Sequence, residues 1–363
     1  MPFVDALKAA ALQLIILHHL AFYGPMSDHA YALTPALFSW LSQDARSAVQ
    51  LFLVIAGFLA AQSLAPAGTL RAPQPLLLLK KRYLKLVMPY LAAVLIGIVC
   101  AAIARSLMVH ESIPGPPTLP QFIAHALLLQ GVLGYEGLSA GAWYVAIDFQ
   151  LFALLLGTLW LARGSVGGGA RIAVVGVVLV ATLALASLYH FNRHSEWDVW
   201  ALYFFGAYAL GALTYWSTNP QRAAGWLLLI FAAVAAALLF DYRSRIAVAL
   251  FAALALGLAR RNGFLESWPR SRVIAYLAQI SYSVFLIHFP ICLLVNGLFA
   301  RFASTDPWVN MAGVITAWLA SLAAGGLLYR LVESPSQRLF QRPRAAAGPH
   351  PDALSHAAAD NAK

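Results

Sequence analysis

The chain has 363 residues, 61% hydrophobic and 10% charged, with a mean hydropathy of +0.74. An average soluble domain carries about 25% charged residues, so this composition excludes a soluble globular domain and assigns the length to membrane spans. The net charge of +10 reads as cytoplasmic loop charge, not as a nucleic-acid surface. Two isolated thiols, Cys100 and Cys292, lie inside apolar runs and give neither a disulfide framework nor a metal-ligand spacing.

The expected fold is all-α and polytopic. Ten apolar stretches approach the ~20 residues that a hydrocarbon core requires: 6–24, 46–66, 83–107, 143–163, 171–190, 197–216, 223–240, 244–260, 273–299 and 308–333. The first resembles a signal peptide only superficially. Its Ala-Tyr-Ala at 30–32 lies too far past the apolar core, so an uncleaved span is expected. The stretch 118–133 is too short to cross and is expected to be re-entrant or interfacial. With the N-terminus inside, 18 Lys and Arg fall on the cytoplasmic side and 6 outside. That bias supports ten spans with both termini cytoplasmic. The spans fill a transmembrane domain over 1–340. The segment 341–363 lacks apolar periodicity and is expected to be a disordered cytoplasmic tail.

Ionisable groups inside spans point to chemistry. Lys8 and His19 are eleven residues apart, almost three helical turns, so they share one face about 16 Å apart. An imidazole can remove a proton from a hydroxyl near neutral pH. The adjacent His18 points roughly 100° away and either packs or binds the same substrate from beside it. Asp148 lies about 7 Å below the outer end of its span, at the depth of His19. A carboxylate there can fix the imidazole tautomer if the helices are neighbours; otherwise it is a structural acid. Trp143 and Tyr144 read as interface aromatics or as substrate contacts. The basic group Lys80, Lys81, Arg82 and Lys85 reads as a positive-inside anchor or as a phosphate clamp. His288 precedes Pro290, which loosens a turn; it packs at the kink or contacts substrate. Glu333 is expected to pair with Arg330 one turn away. No P-loop, GxSxG or HExxH is present.

Together these stretches resemble the acyltransferase-3 family, bacterial multispan proteins that O-acylate sugars and other cell-surface molecules. Lys8 followed eleven residues later by His19 is similar to its Arg-x10-His signature. VQLFLVIAGFL (49–59) resembles VDLFFVLSGFL, and KRYLKLVMPY (81–90) resembles RRxxRxxP. WYVAIDFQLF (143–152) is similar to WSLxVEExFY, ISYSVFLIHFPI (280–291) to SYSLYLWHFP, and VESP (332–335) to VERP. Lys8 stands where Arg is usual, Asp148 where Glu is, and Ala56 and Tyr144 where Ser is.

The resemblance implies transfer of an acyl group, acetyl first of all, from cytoplasmic acyl-CoA to a hydroxyl of a periplasmic or cell-surface glycan. The expected location is the bacterial inner membrane, with lipid bilayer, acyl-CoA and glycan as partners and neither metal nor nucleic acid. His19, Asp148 and Lys8 would be catalytic. Lys80, Lys81, Arg82 and Lys85 would hold donor phosphates, and His18, Trp143, Tyr144 and His288 would contact substrate. A proton-coupled transporter is the competing class, since it too places His, Lys and Asp in spans. It lacks support from any internal repeat.

Overall fold

The computed structural model describes residues 1–71, 74–165, 168–218 and 225–340; the expected tail, 341–363, lies outside the described residues. The regular structure among them is all helical, with no strand. The helices are α1 (Pro2–Phe22), α2 (Pro25–Ala30), α3 (Pro35–Gln43), α4 (Val49–Leu64), α5 (Pro75–Leu107), α6 (Leu119–Ala126), α7 (Ala142–Ala162), α8 (Gly169–Tyr189), α9 (Ala201–Ser217), α10 (Gly225–Phe240), α11 (Ser244–Arg261), α12 (Arg272–Gln279), α13 (Ser281–Phe302), α14 (Pro307–Leu328) and α15 (Ser334–Phe340). A single wide turn of π type, Tyr329–Glu333, joins the last two.

Seven helical segments are long and apolar enough to cross a membrane: α1, α4 with the short turn before it, α5, α7, α8, α13 and α14 with its continuation. The sixth, seventh and eighth predicted spans are the helices α9, α10 and α11, of 17, 16 and 18 residues. The first two are short for a crossing, and α11 carries Arg245, Arg260 and Arg261. The ninth predicted stretch is two helices. It breaks at Ile280, where ψ is 0°, and the Ser281 hydroxyl donates to the Ala278 carbonyl across the break. The stretch 118–133 contributes only the eight-residue α6, started by a reciprocal cap between Thr118 and Gln121.

One crossing sets the centre of the bundle. α4 and α9 meet so closely that a β-carbon on Gly57 would land on the Tyr208 carbonyl, and one on Gly211 on the Val54 carbonyl. Glycine lets two backbones approach in a membrane, where dispersion contacts replace the hydrophobic effect as the force between helices. On one side α8 and α11 pack against α9; on the other α5 and α14 pack against α13. α1 touches α3, α4, α12, α13 and α14, and Gln13 accepts a hydrogen bond from the Trp318 indole at 2.8 Å.

α5 begins at Pro75, well before the predicted start at 83, so its basic residues are helical. Pro89 inside it cannot donate to the carbonyl four residues back. At the next carbonyl, Leu86, the Tyr282 hydroxyl of α13 donates at 2.9 Å, so a neighbouring helix supplies a hydrogen bond beside the proline.

Substituting Gly57 or Gly211 by Ala forces the α4–α9 backbones apart. The expected loss is about 1–3 kcal/mol, read as a lower midpoint of thermal unfolding in detergent. An alanine at Gly225, whose β-carbon would meet nothing, serves as the silent control.

Candidate active site

A cavity of about 670 Å³ opens among α1, α4, α5, α7, α9, α12, α13 and the turn before α15, a size within the usual range of small-molecule sites. Its polar wall holds Asp5, Lys8, Arg82, Lys85, Asp148, Tyr208 and Glu333. Arg82 donates to the Asp148 carboxylate at 2.5 Å, and its guanidinium lies 5.3 Å from the centroid of the Phe152 ring. Asp148 is 4% exposed. Arg82 is partly exposed to the cavity, so it is the carboxylate that depends on the pair: without Arg82 it would be a buried charge with no partner. Two polar atoms beside the pair have no partner in the protein, the Arg82 Nε and the Tyr208 hydroxyl.

Glu333 accepts from the Ser283 hydroxyl at 2.5 Å and from the Gln337 amide at 2.9 Å. The expected pairing with Arg330 is therefore corrected. The wide turn at Tyr329–Glu333 changes the angular spacing, leaving Arg330 exposed and Glu333 buried against α13. Lys85 lies within electrostatic reach of both Glu333 and Asp148. Among the described residues, neither Lys8 nor Lys85 forms a salt bridge. Both cationic heads line the cavity. Lys80 and Lys81 are exposed and do not line it, so only half of the expected clamp faces this space.

Three rings of the cavity lining form a layer. Phe52 from α4, Tyr144 from α7 and Phe285 from α13 all line the cavity, with ring centroids 5.2, 6.2 and 6.4 Å apart. Past that layer lies the histidine pair. His288 is 5.9 Å from Phe285, centroid to centroid, and neither His19 nor His288 lines the cavity. His288 is 1% exposed, while His19 is only partly buried, so its open surface faces somewhere other than this cavity.

The two imidazoles meet edge to edge. His19 Nδ1 is 2.6 Å from His288 Nε2, and the rings are tilted by only 14° with centroids 4.8 Å apart. That is the separation of two coplanar rings joined by an N–H···N bond. His288 Nδ1 faces the Val284 carbonyl at 3.2 Å. A carbonyl only accepts, so His288 carries its proton on Nδ1. In a neutral ring Nε2 is then the acceptor, and His19 Nδ1–H donates to it. His19 is left with an unprotonated Nε2.

The sequence left Asp148 either orienting His19 or serving as a structural acid; the structure pairs Asp148 with Arg82, and His19 with His288 instead. Equal depth in the membrane does not fix direction around the helix. His18 Nδ1–H donates to the Leu41 carbonyl at 2.9 Å, which ties α1 to α3 and commits that ring. Trp143 packs on Phe204, 5.5 Å between centroids, outside the cavity, whereas Tyr144 forms part of its wall. Asp5, Tyr208 and Glu333 were not foreseen as cavity residues. Asp5 had a signal, being one turn before Lys8, whereas Tyr208 is one aromatic among several in an apolar helix.

A family model described as an acyltransferase domain matches residues 1–330. The chain belongs to the acyltransferase-3 family. It is accordingly a multipass membrane protein of an acyltransferase family. No curated protein and no solved structure matches the chain.

The buried pair yields a direct test. Asp148→Leu or Arg82→Met alone strands one charge and is expected to cost about 3–5 kcal/mol. The double variant removes both charges and should recover most of that loss in the same thermal unfolding assay.

Proposed function

We propose that this acyltransferase carries an acyl group, acetyl in the first instance, from cytoplasmic acyl-CoA to a hydroxyl of a glycan at the outer side of a bacterial inner membrane. The single observation that carries the reading is the pairing of His19 with His288, which leaves a lone pair on His19 Nε2. The division of polar groups supports it: a cavity with two lysines free of salt bridges, Lys8 and Lys85, on one side of the ring layer, and the histidine pair on the other.

The donor enters the cavity. Its phosphates sit near Lys8 and Lys85, with Lys80 and Lys81 contributing positive potential at the mouth. Asp148 holds Arg82 in the wall instead of orienting the base. The bias of 18 cationic residues against 6 supports a cytoplasmic mouth, ten crossings and both termini inside. The acceptor hydroxyl approaches His19 from the other side. His19 Nε2 takes its proton as the oxygen attacks the thioester carbonyl. The C–O bond forms and the C–S bond breaks. The thiolate then takes the proton back from His19, giving ester and free CoA thiol. His288 orients His19 and spreads the charge of the transient imidazolium, the work a carboxylate does in a triad.

Membrane vesicles exposing the cytoplasmic face, enriched in the protein, are supplied with labelled acetyl-CoA and host glycan. Label should pass to the glycan. His19→Ala should abolish transfer, and His288→Asn should lower kcat by about 10²–10⁴-fold, the size of a general-base contribution. His18→Ala should keep most activity. Equal transfer in wild type and His19→Ala at matched abundance would contradict the assignment. Transfer that ignores CoA thioesters altogether would return the transporter reading.

A further inference from the structure

The ring layer has no part in the steps above, yet the reacting carbonyl must cross it. Phe52, Tyr144 and Phe285 come from three different helices, line the cavity and lie against one another. The histidine pair lies behind them, in contact with the Phe285 ring. Phe285 is backed in turn by Gly141, the residue before α7: a β-carbon there would sit 3.0 Å from Phe285 Cε1 and 3.1 Å from Cζ. Phe285 is 6% exposed, so it has no free room behind it. Phe52 and Tyr144 are only partly buried, and they are the rings that can yield towards the cavity.

We infer that this three-ring layer selects the acyl group by cross-section: it passes a straight acyl chain and rejects one branched next to the carbonyl. The inference rests on the proposed acyl-CoA donor. An acyl group arrives tail first, and a straight chain presents the same width whatever its length. A methyl branch at the α-carbon widens the chain at the point that must pass between the rings. Ring edges in van der Waals contact resist extra bulk steeply. In an apolar passage one misplaced methyl group is worth about 10–200-fold in kcat/KM.

Two substitutions push the passage in opposite directions. Phe52→Ala removes the most yielding phenyl ring. Gly141→Ala drives a methyl group against Phe285 from behind and leaves the three rings intact. The assay is the vesicle transfer above, with acetyl-, butyryl- and isobutyryl-CoA compared on the same preparation. Wild type should use butyryl well ahead of isobutyryl. Phe52→Ala should raise the isobutyryl-to-butyryl ratio at least about tenfold, and Gly141→Ala should lower it. Phe285→Leu is the second opening variant should Phe52→Ala fold poorly, with the same rise expected. An unchanged ratio in the opening variants, with acetyl transfer measurable, overturns the filter. Free CoA carries no acyl group to pass the rings, so its binding to the wild-type protein, read by thermal shift, checks the donor reading separately. CoA that binds while the ratios stay flat sinks the filter alone. CoA that leaves the unfolding midpoint unmoved sinks the donor reading beneath it.

Discussion

A charge inside a bilayer needs a partner or a way to be neutral, and this constraint shapes the interior of the protein. Two buried or partly buried pairs meet it in different ways. Arg82 and Asp148 cancel in an ion pair between α5 and α7. His19 and His288 remain neutral by sharing one proton along an N–H···N contact, with the second imidazole anchored on the Val284 carbonyl. The first arrangement holds a wall of the cavity. The second leaves a basic nitrogen at membrane depth without burying a permanent charge.

The ring layer lies between these pairs, and it gives the fold a functional direction. The charged side chains of the cavity gather on one side, and the histidine pair, with His19 partly exposed, lies on the other. The close α4–α9 crossing brings Phe52 and Tyr208 to the same cavity. α13 contributes to both sides at once: Ser281, Tyr282 and Phe285 line the cavity, and His288 lies a turn further on. A single helix therefore couples the position of the rings to the position of the proton relay.

The helices were legible in the sequence because hydropathy over about 20 residues is a local property. All ten apolar stretches are helical, although three of those helices fall short of the length or purity of a crossing. The break at Ile280 was not legible, since no Gly or Pro marks it. In the site, Lys8, Arg82, Lys85, Asp148 and Tyr144 were singled out from the sequence, and all line the cavity. Their partners were not legible. Asp148 and His19 share a depth, but the azimuth of each helix decides which groups meet, and hydropathy does not encode azimuth. Glu333 was misread for a related reason, because a wide turn breaks the i,i+3 rule that linked it to Arg330. His288 was read as packing at the kink or contacting substrate; its partner, His19, lies 269 positions away and was not legible.

The claim at the centre of this account is the direction of the proton between the two imidazoles. Solid-state ¹⁵N NMR of the full chain in lipid, with histidines labelled and His19 and His288 assigned by single substitution, reads it directly. The account predicts protonated Nδ1 and unprotonated Nε2 in both rings, with His288 Nε2 shifted by accepting a hydrogen bond. A proton on His19 Nε2, or on both nitrogens of His288 at neutral pH, would contradict it, because His19 would then have no lone pair to offer a hydroxyl.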